Sequence, residues 1–256
     1  MFDISISQGN EKLRKIIGIV NSDEELSTYW KCQNITAIDR LHINDHGPTH
    51  MKIVAENAFR ILRILREFGI KMSIEKDYGM GYDDAEVVVF LSSIMHDLGM
   101  VIHRHDHHIF SEMIAMPILE RILKKIYKDS QRVIVTSEVL HSIYSHEKEI
   151  KPLTIEASVM RISDALDMTK GRGRIPYIIG SISIHSVSAM AIQKVEIEKG
   201  TKEKPIAIKI LMNDTAGVFQ VNDLLKSKIK NTPMEGMIRV VAEISRTGKR
   251  IEKFEI

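Results

Sequence analysis

Leu13, Ile16, Ile17 and Val20 stand three and four residues apart, the spacing that gathers apolar side chains on one helical face, so about Gln8 to Val20 predicts a helix. Ser22-Asp-Glu-Glu25 then has the form of a capping box and predicts the start of a second, short helix. After a polar break at Ile43-Asn-Asp-His-Gly47, Pro48 sits where a first-turn proline belongs. Val54, Ala58, Ile61, Leu62 and Leu65 line one face of a helix ending near Gly69. Asp83-Asp84 opens the next helix with charges that suit its positive end, and the almost wholly apolar run from Val87 to Met95 predicts burial on most sides. Further helical periods run from Ile109 to Ile126, from Val133 to Ser145, and from Thr154 to Met168, where Ile155, Val159, Ile162 and Leu166 fall in line.

The pattern changes after Lys170-Gly-Arg-Gly-Arg-Ile-Pro176. Ile192, Val195 and Ile197 fall among charged neighbours in a β-like stretch, 205 to 212 and 237 to 244 are also β-like, and Val218 to Lys230 is amphipathic, which together predict a small β-β-α-β unit. The expected fold class is mainly α, a helical bundle followed by a small α+β C-terminal domain. The expected units are an N-terminal helical segment over 1–40 packed on the core, a helical domain over 41–176, and an α+β domain over 177–256 for oligomerisation or sensing.

Length and composition fit this plan. A chain of 256 residues, 44% apolar and 27% charged, is an ordinary folded protein with room for two cores. Aromatics are scarce at 5% and methionines number 14, which predicts an aliphatic core with Met filling gaps. A net charge of +2 gives no global attraction for nucleic acid. Cys32 is the single cysteine, which excludes an intrachain disulfide framework and a cysteine-based zinc site and fits a reducing compartment. The N-terminus lacks the features of a signal peptide, and no apolar run approaches the roughly 20 residues a membrane helix needs, so a cytoplasmic protein with no membrane partner is expected.

Histidine placement changes the picture most. Of 11 histidines, all except His185 fall between His42 and His146, and several stand beside predicted helix ends, where their side chains can share a cleft. Neutral imidazole and carboxylate together suit divalent first-row metals, and an adjacent His96-Asp97 supplies one of each. His50, His96-Asp97 and Asp164 lie on three different predicted helices.

Those residues carry a resemblance. His50-Met-Lys-Ile-Val-Ala-Glu-Asn-Ala58, Ile94-Met-His-Asp-Leu-Gly99 and Arg161-Ile-Ser-Asp-Ala-Leu-Asp167 resemble the early histidine, the HD doublet and the distant aspartate of the HD-domain metal-dependent phosphohydrolase superfamily, over roughly residues 41–170. The resemblance implies an HD-type helical bundle in which His50, His96, Asp97 and Asp164 ligate a divalent metal ion (Mn, Ni, Co, Fe, Zn or Mg), with one or two ions bound. Relatives add histidines that bind a second metal or contact phosphate. His107 and His146 are the best matches here, and His103 with Arg104 is a further candidate for phosphate contact.

A metal with open coordination positions lowers the pKa of bound water and polarises a phosphoryl oxygen, and the resemblance implies that this serves hydrolysis of a phosphate ester or nucleotide. A non-catalytic nucleotide-binding or regulatory module on the same scaffold is the alternative. Asp97, His103 and His107 are candidates for carrying a proton, and Lys52, Arg104, Lys170, Arg172 and Arg174 for gripping phosphate. Lys170 to Arg174 also fits a solvated interdomain loop. Asp45 and His46 fit either the cleft or a turn, and Asp167 either a hydrogen bond to a metal ligand or the surface. His141 lies about 140° round the helix from His146 and is set aside as a ligand. His105 and His108 are surplus, and His185 is expected to be structural. Exposed strand edges in the C-terminal unit favour a homo-oligomer, expected to be a dimer.

Overall fold

The computed structural model describes residues 1–3, 7–169, 184–246 and 249–255. Lys170, Arg172 and Arg174 lie outside the described residues, as does the side chain of His185.

Helix α1 (Glu11–Asn21) buries Leu13, Ile16, Ile17 and Val20, the four positions its periodicity selects. Its N-cap Asn10 accepts from Leu13 N at 3.0 Å and donates to Asp83 O at 2.8 Å and Glu86 Oε2 at 2.9 Å, which ties the N-terminal segment to a later core helix. Helix α2 (Glu24–Asn34) starts from Asp23, whose carboxylate accepts from Leu26 N at 3.0 Å, not from Ser22. The Ser22 hydroxyl donates back to Gly18 and Ile19 carbonyls and so belongs to the end of α1. A π-helical segment, Ile35–Arg40, prolongs α2, making this helix longer than its sequence suggests.

Helix α3 (Pro48–Glu67) has Pro48 in its first turn, where a missing N–H costs nothing. Helix α4 (Ser73–Tyr78) is short. Helix α5 (Tyr82–Met95) is buried at every position except Asp83 and forms the axis of the bundle, in contact with α1, α3, α4 and two later helices, α7 (Asp129–Tyr144) and α8 (Ile155–Ala165). Trp30 Nε1 donates to Ile94 O at 2.8 Å, so α2 caps the far end of α5. Helix α6 (His107–Leu123) packs on α7 and on a 3-10 turn, Leu98–Val101.

The C-terminal unit comprises α9 (Ile184–Ala191), β1 (Ile192–Lys199), β2 (Ile206–Met212), a π-helical turn (Gln220–Leu225) running into α10 (Lys226–Ile229), β3 (Ile238–Arg246) and β4 (Lys249–Glu255). The sheet order is β1-β2-β3-β4, with β2 and β3 parallel and both outer pairs antiparallel. A parallel pair needs a crossover, and α10 lies in it. Ile206, Ile208, Ile210 and Met212 pair with Ile238, Val240, Ala242 and Ile244, and all eight are buried, so one face of the sheet is a continuous apolar layer. Strands β1 and β2 pack on α3, and α10 packs on α8. The fourth strand corrects the expected β-β-α-β unit. Ile251 and Phe254 are three residues apart among charged neighbours, so no period-2 signal marks it.

Candidate metal centre

Three helix ends meet beside the axis of the bundle. His96 and Asp97 follow the last turn of α5, His50 lies in the first turn of α3, and Asp164 lies in the last turn of α8. Asp97 Oδ2 is 3.2 Å from His96 Nε2 and 3.5 Å from His50 Nε2. Asp164 Oδ1 is 3.7 Å and 3.3 Å from the same two nitrogens. Ligand bonds of about 2.1 Å around one ion would place adjacent donors about 3.0–3.4 Å apart, close to these separations.

A second group shares Asp97. Its Oδ1 is 3.3 Å from His107 Nε2 and 4.0 Å from His146 Nε2, and those nitrogens are 3.0 Å apart. Glu147 Oε1 lies 3.5 Å and 3.9 Å from them. Gly99 makes this approach possible, because a Cβ there would lie 2.0 Å from His107 O at the start of α6. Ser111 completes the join, donating to His96 O and accepting from Gly99 N.

The outer ring nitrogens decide which way the lone pairs point. Nδ1 of His96 contacts Ser93 O at 2.9 Å, that of His107 contacts Arg104 O at 3.0 Å, and that of His146 contacts Ile143 O at 2.6 Å. A carbonyl only accepts, so each Nδ1 carries a proton and each ring turns its Nε2 inward, where a neutral ring offers a lone pair. His50 follows the same rule, with Nδ1 2.7 Å from Asp167 Oδ2. Asp167 thus takes the supporting role offered by its place one turn from Asp164.

Protonation responds to the neighbours. Burial pulls His96 down, but Asp97 and Asp164 outweigh it and lift the imidazole to about 9. Burial also pulls His146 down, and there His107, His96 and Lys228 push it further, well below the usual histidine range. Burial raises Asp97 and Asp164, yet the surrounding cations hold both well below the usual carboxylate range. The Nε2 atoms of His107 and His146 face each other at 3.0 Å, close enough to be shared by one ion. Among the described residues, His96 Nε2 is buried without a well-aligned hydrogen bond, although a carboxylate stands 3.2 Å away. Nitrogen and oxygen donors with every Nε2 directed inward fit a divalent ion, which would take the place of a proton on His96.

Other histidines divide sharply. His46 joins the site, with Nδ1 2.6 Å from Asp97 Oδ2. Its backbone is held by Asn34 Oδ1, at 3.1 Å from His46 N, and by Gln33 Nε2, which donates to His46 O, so α2 aims this ring. Asp45 makes the turn instead, accepting from Gly47 N at 2.8 Å. His103 is exposed, and its Nδ1 accepts from His105 N at 2.9 Å, so it is not brought to the cluster. His105 pairs with Asp106 at the surface, and His108 packs against Tyr144. His141 Nε2 accepts from Leu153 N at 3.0 Å, a structural bond.

Among the expected phosphate cations, Arg104 lies at the rim with Nη1 3.2 Å from the His107 ring and 3.9 Å from Glu147 Oε1. Lys52 does not reach the site. Two residues beyond His50 lies about 200° round the helix, and its Nζ is 3.8 Å from Glu56 on the exposed face. Two residues escaped the sequence reading. Glu147 follows His146 directly, and Lys228 comes from α10, with Nζ 3.4 Å from Asp164 Oδ2 and donating to His146 O. Adjacency marks Glu147, but no sequence signal distinguishes Lys228.

A helical bundle whose helix ends converge two imidazoles and two carboxylates on one point, with a second His/carboxylate group alongside, has donor groups that could hold a divalent metal ion. The HD domain family model matches residues 49–169, and the chain belongs to that family, whose members are in general metal-dependent phosphohydrolases. The uncharacterized protein MJ1020 of Methanocaldococcus jannaschii is 43% identical over 234 residues, which span 91% of this chain and 90% of that protein. No solved structure gives a significant match. Among the described residues, no helix is long and apolar enough to cross a membrane.

Proposed function

We propose that the protein is a metal-dependent phosphohydrolase that cleaves a phosphate ester or nucleotide by attack of water on phosphorus. The observation that carries this reading is the convergence of His50, His96, Asp97 and Asp164 on one buried point with both imidazole Nε2 atoms directed inward. Bound there, a divalent ion supplies Lewis acidity to a phosphoryl oxygen and a lowered pKa to water. The protein supplies the rest. Asp167 and the Ser93 carbonyl fix the two rings, and His46 fixes Asp97, so the donors are in place before substrate arrives. Arg104 offers positive charge at the rim for the phosphoryl oxygens, where charge builds in the transition state. His107 and His146 with Asp97 and Glu147 form a second group able to hold another ion or to hand a proton to the leaving oxygen.

The test is metal content of the purified protein, then phosphate release from nucleoside monophosphates, nucleoside triphosphates, cyclic nucleotides and an aryl phosphate. Bound metal with turnover lost in His96→Ala supports the reading. Bound metal with no turnover on any of them overturns it in favour of a non-catalytic binding module.

A further inference from the structure

One side chain of the α+β unit enters the metal centre. Lys228 Nζ donates to His146 O in the second donor group and lies 3.4 Å from Asp164 Oδ2 in the first. Asp164 turns its other oxygen, Oδ1, toward His50 and His96, so a single carboxylate separates the ammonium from the first metal position.

The lysine is held in place from behind. Arg161, buried on α8 one turn before Asp164, sends Nη2 to Ser227 O at 3.3 Å and to Lys148 O at 2.9 Å, and sends Nη1 to the Ser145 and Ile150 carbonyls. One guanidinium therefore binds the segment on both sides of His146 and the residue before Lys228 to the helix that carries Asp164. A fork of five donors suits this use, which a flexible ammonium would not serve.

Lys228 itself is not fully enclosed. Its side chain keeps 15% of its exposure, and among the described residues Nζ has two acceptors for three donors. A cation that only neutralised Asp164 would not need a free donor and an opening to solvent. The cluster also contains Asp97, Asp164, Asp167 and Glu147, four carboxylates that would repel a phosphate dianion unless fixed cations stood among them.

We propose that Lys228 contacts the substrate phosphate, so that the α+β unit completes the active site and is more than an oligomerisation or sensing module. This rests on the phosphohydrolase reading above. The lysine stem lets the ammonium move from Asp164 to an incoming phosphoryl oxygen while the His146 carbonyl stays within reach, and a charge-assisted bond to phosphate replaces the long contact to the carboxylate.

The experiment compares full-length wild type, Lys228→Gln, Lys228→Met and Lys228→Arg, each shown to be folded by circular dichroism. Manganese affinity and, on the manganese-loaded protein, inorganic phosphate affinity are measured by calorimetry. The Gln and Met variants are expected to bind phosphate about tenfold more weakly and manganese no more weakly than wild type, with Arg retaining most of the phosphate affinity. In turnover the loss is expected in KM more than in kcat. Unchanged phosphate affinity in both neutral variants overturns the proposal. So does a matching loss of manganese affinity, which would make Lys228 a support for Asp164 alone. If wild type binds neither phosphate nor any phosphate ester, both readings fall; if it binds and hydrolyses and the neutral variants match it, only the role of Lys228 falls.

Discussion

The His50 ring is clamped between two aspartates one helical turn apart: its Nδ1 lies 2.7 Å from Asp167 Oδ2 and its Nε2 lies 3.3 Å from Asp164 Oδ1. The first contact sets the tautomer and the second uses it. Removing the Asp167 carboxylate frees the ring to rotate and to move its proton. Asp167→Ala is expected to weaken divalent-metal affinity about 10–100-fold, measured by calorimetry with manganese. Affinity equal to wild type would show that packing alone holds the ring.

Asp97 gives one oxygen to each donor group, Oδ2 toward His50 and His96 and Oδ1 toward His107 and His146. Asp97→Ala is therefore expected to strip the protein of metal, whereas His107→Ala or His146→Ala should spare the first position. Elemental analysis after dialysis reads this directly. Saturating metal should also raise the melting temperature, since about a hundredfold excess over Kd is worth about 2.7 kcal/mol, and Asp97→Ala should abolish that rise.

A separate acidic pair predicts how stability responds to pH. Burial raises the Glu138 carboxyl, and the charge of Glu156 raises it further, against a hydrogen bond from Tyr78 that lowers it. With the folded pKa above the unfolded one, the fold favours the protonated form. This group therefore adds stability fully below its ordinary pKa, and the benefit is lost as pH rises through the folded value. Glu138→Gln should melt higher than wild type at pH 7, with the gap closing toward pH 4. Parallel melting curves across that range would refute the assignment.

Arg161 joins four backbone carbonyls from two segments, and truncation leaves buried acceptors without donors. Arg161→Ala is expected to cost about 2–3 kcal/mol in urea unfolding and to speed amide exchange over 145–150. Arg161→Lys should recover little, because one ammonium cannot span the same acceptors.

The bundle and the meeting of His50, His96, Asp97 and Asp164 were legible because each rests on a local cue. Helical periodicity placed the axes, and His50, His96-Asp97 and Asp164 stood at or near helix ends. The rim was harder to read, since whether a loop side chain faces inward depends on one or two backbone angles. In the stretch from His103 to His108, only His107 is buried, because Gly99 and Ser111 draw the start of α6 against the doublet. Lys52 was misplaced because closeness in sequence to His50 is not closeness in space on a helix. Lys228 lay beyond reach for the opposite reason. Its neighbours Asp164 and His146 are 64 and 82 residues away, and only the docking of α10 on α8 brings them together.

Helix α5 is sheathed by protein on nearly every side. The HD doublet thus stands at the tip of a post that cannot tilt without opening the whole bundle. Amide protons along this post should exchange only when the bundle as a whole unfolds.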